Sequence, residues 1–258
     1  MRPQVLILGC GFTGRQVAKQ LLARGTDVTA TTRSPQALSG LGVRAITLDD
    51  LDRHLIPNLL VVHSIPPDGP PDLIARLRSA PSRLVYLSST AVYGEATDVD
   101  NGTPVDPAPP RARIRLEAEA AAAHGPWTSL ILRPAAIYGP GRGAHISLRR
   151  GTYSAGPNYV SRIHVEDLAA HVVAALFSPI TGAFPVADEE PCTSYEIAAF
   201  CADLLRLPLP EGVRPSRPLT DRRVDGSAIR RLLGVTLRYP SYRVGIPAAL
   251  AAEQPHSV

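Results

Sequence analysis

The sequence predicts an α/β fold in which helices cover both faces of a parallel, doubly wound sheet. Short apolar runs, each typical of a buried strand, alternate with segments whose apolar residues recur at helical spacing. Six strands alternating in this way with helices indicate a parallel sheet. A glycine-rich turn, residues 9–14, follows the first strand directly and is the second observation behind this prediction.

The predicted elements follow one another along almost the whole chain. The six expected strands are residues 5–8, 27–32, 43–48, 59–63, 84–87 and 128–132, and a further short strand is expected at 183–187. The main helices after the first are expected at 111–124, 164–177, 194–205 and 227–233, and residues 141–160 are expected to be irregular. We therefore divide the chain into a sheet domain, 1–140, and a small C-terminal α/β lobe, 141–258, part of which returns to the core of the first domain.

The turn after the first strand has the pattern G-x-G-x-x-G, formed by Gly9, Gly11 and Gly14. Between a strand and a helix, such glycines allow a tight turn, a close approach of backbone to a pyrophosphate, and close helix–strand packing. The N–H groups of the first helical turn then face the phosphates. The sequence therefore predicts a Rossmann-type dinucleotide site that includes Phe12 and Thr13.

The end of the second strand favours NADP over NAD. NAD-binding sites usually carry a carboxylate there for the ribose 2′-hydroxyl, whereas this chain has Thr31, Thr32 and Arg33. A guanidinium beside two hydroxyls suits a 2′-phosphate. The residues after the fourth strand should line the adenosine side of the same site: Ser64, Ile65 and Pro66.

Composition and charge limit the classes of partner that we expect for this chain. The chain has 258 residues and a formal net charge of +4, but no dense basic run and few aromatic residues, so we expect no nucleic-acid partner. No apolar run approaches the length of about 18 residues that a membrane span needs. The first strand begins almost at the N-terminus, leaving no room for a signal peptide, so a cytoplasmic location is expected. The three cysteines lack the spacing of metal ligands or disulfides, so no metal is expected.

Four segments together resemble the short-chain dehydrogenase/reductase superfamily, in its extended, NAD-dependent epimerase/dehydratase branch. The segments are G-C-G-F-T-G at 9–14, S-S-T-A-V-Y-G at 88–94, R-P-A-A-I-Y-G-P-G at 133–141 and R-I-H-V-E-D-L-A at 162–169. They occur in the order found in that family and span most of the chain. The resemblance is therefore far more specific than any one motif.

The resemblance implies roles for individual residues. Ser89 matches the catalytic hydroxyl that hydrogen-bonds the reacting oxygen, and Pro134 matches a residue against the nicotinamide. Sugar-nucleotide enzymes of the family place an arginine on a substrate phosphate, for which Arg162 or Arg142 is the candidate here, and Tyr138 is a third candidate substrate residue. A homodimer formed through the helices after the fourth and fifth strands is also carried over from the family.

The chain departs from the family at its acid/base motif, Tyr-x-x-x-Lys. In the matching register Arg111 occupies the tyrosine position and Arg115 the lysine position, and the only lysine of the chain, Lys19, lies in the first helix. Arg115 can still donate to ribose hydroxyls, whereas Arg111 stays protonated at any working pH and is suited instead to stabilising negative charge. Alternatively, both belong to a solvated helix face on which Arg115 pairs with Glu119.

If Arg111 cannot donate a proton, a tyrosine elsewhere in the chain would have to act as the general acid. Tyr93 and Tyr138 are the candidates, with an arginine lowering the pKa of the phenol. Both are also consistent with purely structural roles. The departure places the chain among the atypical members of the superfamily.

Three functions remain open on the sequence. The first is an NADP-dependent oxidoreductase acting on a small carbonyl or alcohol, with Ser89 orienting the oxygen and Arg111 stabilising developing charge. The second is an NADP(H)-sensing regulator without turnover. The third is a redox-neutral epimerase or dehydratase that keeps its cofactor bound.

Overall fold

The computed structural model describes residues 3–67, 73–78, 80–209 and 221–253. The strands are β1 (Gln4–Leu8), β2 (Asp27–Thr31), β3 (Arg44–Ile46), β4 (Leu59–His63), β5 (Pro81–Leu87), β6 (Asp98–Val99), β7 (Thr128–Pro134), β8 (Ala136–Tyr138), β9 (Tyr159–Val160), β10 (Arg162–His164), β11 (Gly182–Val186), β12 (Cys192–Thr193) and β13 (Arg223–Val224). The α-helices are α1 (Phe12–Ala23), α2 (Leu73–Arg76), α3 (Pro110–Ala123), α4 (Ala144–Arg149), α5 (Val165–Leu176), α6 (Ser194–Leu205), α7 (Ser227–Leu233) and α8 (Tyr242–Glu253).

Seven strands form one central sheet in the order β3-β2-β1-β4-β5-β7-β11. Every neighbouring pair in it is parallel. The strand order reverses beside β1, as in doubly wound folds that bind ligands at the carboxyl ends of their strands. The predicted fold class is therefore confirmed, and β11, expected as a short strand, extends the sheet beyond β7.

Both faces of the sheet are buried, which explains why its strands are apolar without alternation. Val5 and Ile7 of β1 pack into a core shared with α1 and α5. Leu6 and Leu8 point to the other face, into a core shared with α2 and α3. The strand β1 therefore lies at the centre of the fold, and its carboxyl end carries the glycine turn.

The predicted helices agree closely with the observed ones. The helices α6 and α7 have the predicted bounds, and Thr193 caps α6 through a capping box with Glu196. The prediction of an irregular stretch at 141–160 is wrong in part, because α4 and β9 form within it. The proline-rich stretch 208–218 lies outside the described residues from 210 onward.

Within the described ranges, the helices are all too short or too polar to cross a lipid bilayer.

Candidate functional site

The glycine turn is packed tightly against its surroundings except at its middle glycine. Gly9 adopts a φ of +88°, and its N–H donates to the hydroxyl of Thr31 at 2.9 Å. A Cβ on Gly14 would lie 2.5 Å from the carbonyl oxygen of Gly9, whereas a Cβ on Gly11 would have no heavy atom within 4 Å. The turn thus leaves open space at the glycine where backbone would approach a pyrophosphate, so these residues fit a dinucleotide.

The helix α1 begins at Phe12 with its first N–H groups unclaimed by a cap. No side chain caps the helix at Gly11, and its first turn contains no acidic residue. The first N–H groups of a helix have no partner within the helix and attract anions. Thr13 is buried and Phe12 half-buried, so the backbone rather than these side chains would contact a phosphate.

The residues that follow β4 lie directly beside this turn. The Ser64 N–H donates to the Leu8 carbonyl at 2.9 Å, which keeps the chain in register with β1. A Cβ on Gly9 would lie 2.7 Å from Cγ1 of Ile65, so these two residues are in close contact. Pro66 is exposed at the same edge of the sheet. The structure therefore brings Ser64, Ile65 and Pro66 together with the glycine turn.

Arg33 is exposed immediately beyond β2, and no hydrogen bond or ion pair engages its side chain among the described residues. The expectation that both neighbouring threonines offer a hydroxyl to a phosphate is wrong for Thr31. Its side chain is buried and accepts from Gly9, as described above. The Thr32 hydroxyl is exposed and interacts with the backbone of Ser34.

Ser89 lies after β5, at the carboxyl edge of the sheet and two strands from β1. Its hydroxyl oxygen accepts from the Ala91 N–H at 3.2 Å and caps a short 3-10 helix, Thr90–Tyr93. The side chain is half-buried, and a hydroxyl that accepts one bond can still donate another. The Ala91 N–H thus orients the Ser89 hydroxyl, whose proton has no acceptor among the described residues.

Tyr93, at the end of that 3-10 helix, is buried. The Arg133 guanidinium donates to its hydroxyl at 3.2 Å and lies over its ring, 5.2 Å from the centroid. Burial raises the pKa of Tyr93, although Arg133 acts in the opposite direction. The expectation that an arginine lowers the pKa of this phenol is therefore wrong in its net direction.

Arg133 also pairs with Glu119, the carboxylate that Arg115 would have as its partner on a solvated helix face. Its Nε and Nη2 donate to the two carboxylate oxygens of Glu119 at 3.0 and 2.6 Å. Both side chains are almost fully buried. The alternative in which Arg115 pairs with Glu119 is therefore wrong, because the sheet offers Glu119 a buried bidentate partner.

The two arginines in the expected acid/base register lie on α3, which packs against the Thr90–Tyr93 turn. Arg111 is exposed in the first turn of the helix and Arg115 is half-buried. Arg115 lies close enough to Tyr86 to oppose the effect of burial, which raises the pKa of that phenol to about 12. Both arginines therefore lie on the helix that flanks the Ser89 turn.

Two of the candidate substrate residues point into the interior. Tyr138 is buried, its hydroxyl donates to the Ser241 carbonyl at 3.3 Å, and burial raises its pKa. Arg162 is buried too and donates to the Val160 carbonyl at 2.6 Å and to the sulfur of Cys192 at 3.0 Å. The Tyr138 hydroxyl and one guanidinium nitrogen of Arg162 are therefore engaged within the fold, and the roles expected for these two residues stay predictions.

The third candidate, Arg142, is exposed and lies over the ring of Phe12, 5.3 Å from its centroid. It is therefore beside the glycine turn. Pro134 ends β7 and is buried, one strand beyond Ser89 in the sheet order.

Arg222 contacts the turn that follows Ser89, and sequence reasoning missed this residue. Its buried guanidinium donates to three carbonyls of the 90–96 segment, at 2.5 Å to Thr90, at 2.9 Å to Ala96 and also to Gly94. The contact spans well over a hundred positions in the chain, and no local motif predicts such a pairing.

No model of a known protein family matches the chain, but solved structures resemble it along its whole length. A protein of unknown function from Silicibacter pomeroyi is 33% identical, with 97% of this chain and 99% of that chain covered and a TM-score of 0.83. A protein from Methylobacillus flagellatus, provisionally assigned as an NAD-dependent epimerase/dehydratase, is 29% identical, with 98% and 99% covered and a TM-score of 0.81. MoeE5, solved with UDP-glucose and NAD, is 24% identical, with 96% and 97% covered and a TM-score of 0.78.

Curated proteins show the same pattern. Protein YeeZ from Escherichia coli K12 is 28% identical, and the similarity covers 92% of this chain and 96% of YeeZ. The 3-diazoavenalumate denitrifying reductase from a Streptomyces species is 26% identical, and the similarity covers 94% of this chain and 99% of that protein.

The fold and the glycine turn thus define a chain with the architecture of the NAD-dependent epimerase/dehydratase proteins of the short-chain dehydrogenase/reductase type. This chain belongs to the same family as the Silicibacter pomeroyi protein, with which it shares one third of its residues over nearly the full length of both chains.

Proposed function

We propose that this protein is an oxidoreductase that binds NADPH in preference to NADH and acts on a small carbonyl or alcohol. The observation that carries the proposal is the shape of the glycine turn. Gly9 and Gly14 are packed too closely for any side chain, while the space at Gly11 is open. The first N–H groups of α1 follow Gly11 directly, and no side chain of the described residues caps them.

The preference for NADPH depends on Arg33. This arginine is exposed just beyond β2, where an NAD-specific site would carry a carboxylate. With the Thr32 hydroxyl beside it, the guanidinium can bind a 2′-phosphate through charge-assisted hydrogen bonds. MoeE5 was solved with NAD, so the preference for NADPH is the part of the proposal that most needs its own test.

The reaction proposed at the carboxyl edge uses groups with distinct tasks. A dinucleotide held at the turn of Gly9, Gly11 and Gly14 would supply or accept hydride at its nicotinamide. The Ser89 hydroxyl donates a hydrogen bond to the reacting oxygen and so orients the substrate. The Arg111 guanidinium stabilises negative charge on that oxygen, which takes its proton from water in the reduction and returns it to water in the oxidation. Tyr93 serves as support rather than as the acid, because burial raises its pKa.

The test is a titration of the protein with NADPH and with NADH, followed by nicotinamide fluorescence. We expect tighter binding of NADPH, and Arg33→Ala should remove the difference while leaving NADH binding unchanged. Arg24→Ala is a matched control, because Arg24 is an exposed arginine at the other end of α1. Failure of both dinucleotides to bind would refute the proposed function.

A substrate screen then separates the three functions that the sequence leaves open. Oxidation of NADPH with a carbonyl panel, lost in Ser89→Ala and Arg111→Ala, supports the oxidoreductase. A nicotinamide that copurifies with the protein and is not consumed supports a redox-neutral epimerase or dehydratase, the class to which the similarity with the Methylobacillus protein points. Tight binding without any turnover supports a regulator.

A further inference from the structure

The loop after β8 places one arginine directly above the start of α1. Gly139 and Arg142 exchange backbone hydrogen bonds, N–H to carbonyl at 2.9 Å and 3.0 Å in the two directions. Gly139, Gly141 and Gly143 all adopt positive φ angles, +157°, +77° and +136°. The two backbone hydrogen bonds therefore close this turn, and few residues other than glycine allow its conformation. The position of the Arg142 backbone is thereby fixed.

The last helix holds this loop in place through a single carboxylate. Oε1 of Glu253 accepts from the Gly141 N–H at 2.7 Å and lies 3.0 Å from Nε2 of His145. Its Oε2 accepts from Arg149 at 2.5 Å. The side chain of Glu253 is only 15% exposed. Its charge is therefore already matched by Arg149 and is not shared with Arg142.

Arg142 is left with an aromatic partner instead of a carboxylate. Its guanidinium carbon lies 5.3 Å from the centroid of the Phe12 ring. Among the described residues no carboxylate lies within 4.0 Å of it. A cation–π contact orients a guanidinium without neutralising it. The positive charge of Arg142 thus remains available beside the first residue of α1.

We propose that Arg142 binds the diphosphate of the dinucleotide from the side opposite the backbone of Gly9 to Gly14, so that the arginine and this glycine turn together form a cradle. Glu253 is the positioning residue that holds Arg142 there. The inference rests on the proposed function and changes the role of Arg142 from substrate binding to cofactor binding. Phe12 lies between the two donor groups, with its backbone at the helix start and its ring beneath the guanidinium.

The chemistry suits a diphosphate rather than a single hydroxyl. The planar fork of a guanidinium matches two phosphate oxygens, and its hydrogen bonds to them are charge-assisted. The N–H groups of α1 would contact one side of the diphosphate and Arg142 the other. Arg33 lies at the end of a different strand, β2, and would contact only the 2′-phosphate.

The first experiment compares the two dinucleotides on matched variants. Arg142→Ala should weaken NADPH and NADH by the same factor, about 10- to 100-fold for one lost bidentate contact to a charged group. Adenosine 2′-phosphate, which has no diphosphate, should compete for the site equally well in both proteins. Arg150→Ala, an exposed arginine on the same segment, should change nothing.

The second experiment tests whether Glu253 acts through Arg142. Glu253→Ala should weaken both dinucleotides in the wild-type background and cause no further loss in the Arg142→Ala background. Further loss in the double variant would overturn the positioning role, because a general loosening of the fold adds to any other change. Urea unfolding of each variant checks that the compared proteins are folded.

The outcomes separate this inference from the function on which it rests. If the wild-type protein binds a dinucleotide and Arg142→Ala binds it equally well, the role of Arg142 is refuted and the proposed function stands. If Arg142→Ala weakens NADPH alone, the arginine contacts the 2′-phosphate and the diphosphate assignment is refuted. If the wild-type protein binds neither dinucleotide, both fall together.

Discussion

Replacement of Glu119 by alanine should destabilise this protein more than the loss of any exposed charge on the same helix. Glu119 is 4% exposed, and both of its oxygens accept from Arg133, at 3.0 Å and 2.6 Å. The same guanidinium donates to Tyr93. Without Glu119, Arg133 would remain buried with a full charge and no carboxylate.

The magnitude follows from the groups that lose partners. A hydrogen bond to a charged group contributes about 1.5–3 kcal/mol, and two are lost here. Removing one member of a buried ion pair costs about 3–5 kcal/mol, because the other charge stays buried and unpaired. We therefore expect Glu119→Ala to lower the free energy of unfolding by about 3–5 kcal/mol.

Urea unfolding provides the assay, with Glu117→Ala as the matched control on an exposed position of α3. The control should change the free energy of unfolding by less than about 0.5 kcal/mol. Glu119→Leu combined with Arg133→Met should cost less than Glu119→Ala alone, because no charge is then left unpaired. A loss below about 1 kcal/mol in Glu119→Ala, the value of a solvated ion pair, would refute this reasoning.

Two further changes test the glycine turn and the buried histidines. Gly11→Ala should leave the urea midpoint unchanged, because the added Cβ meets no heavy atom of the described residues within 4 Å. It should abolish dinucleotide binding, because the Cβ would occupy the space proposed for the diphosphate, and unchanged binding would contradict this. Burial lowers the pKa of His171 from its ordinary value of 6.5 to about 4, so the unfolded chain binds the extra proton and stability falls as pH falls through this window. His171→Gln should therefore flatten the dependence of the urea midpoint on pH between 6.5 and 4, and a slope equal to that of the wild type would show that His171 is not buried in its neutral form.

Local patterns in the sequence were enough for the sheet and for the glycine turn. A strand such as β4, residues 59–63, is a continuous apolar run because both of its faces are covered. The spacing of Gly9, Gly11 and Gly14 is informative by itself, because each glycine meets a backbone requirement that arises within the same six residues. These features depend on neighbours in sequence, so the sequence alone predicts them.

The partners of the charged residues were decided only by the tertiary structure. Glu119 has an arginine four positions away on its own helix, yet it pairs with Arg133 across 14 positions, because the strand brings a buried guanidinium to it. Tyr138 and Arg162 carry groups suited to a substrate but lie inside the fold. Side-chain chemistry is visible in a sequence, whereas the direction in which a side chain points is set by packing.

The cradle combines one feature that the sequence predicts with one that only the folded chain determines. The sequence predicts that Gly9 to Gly14 contact a dinucleotide. The approach of Arg142 to Phe12 could not be predicted, because it depends on a loop that Glu253 holds from more than a hundred positions away. Hydrogen bonds across such separations follow from how the helices pack, and only the folded chain determines them.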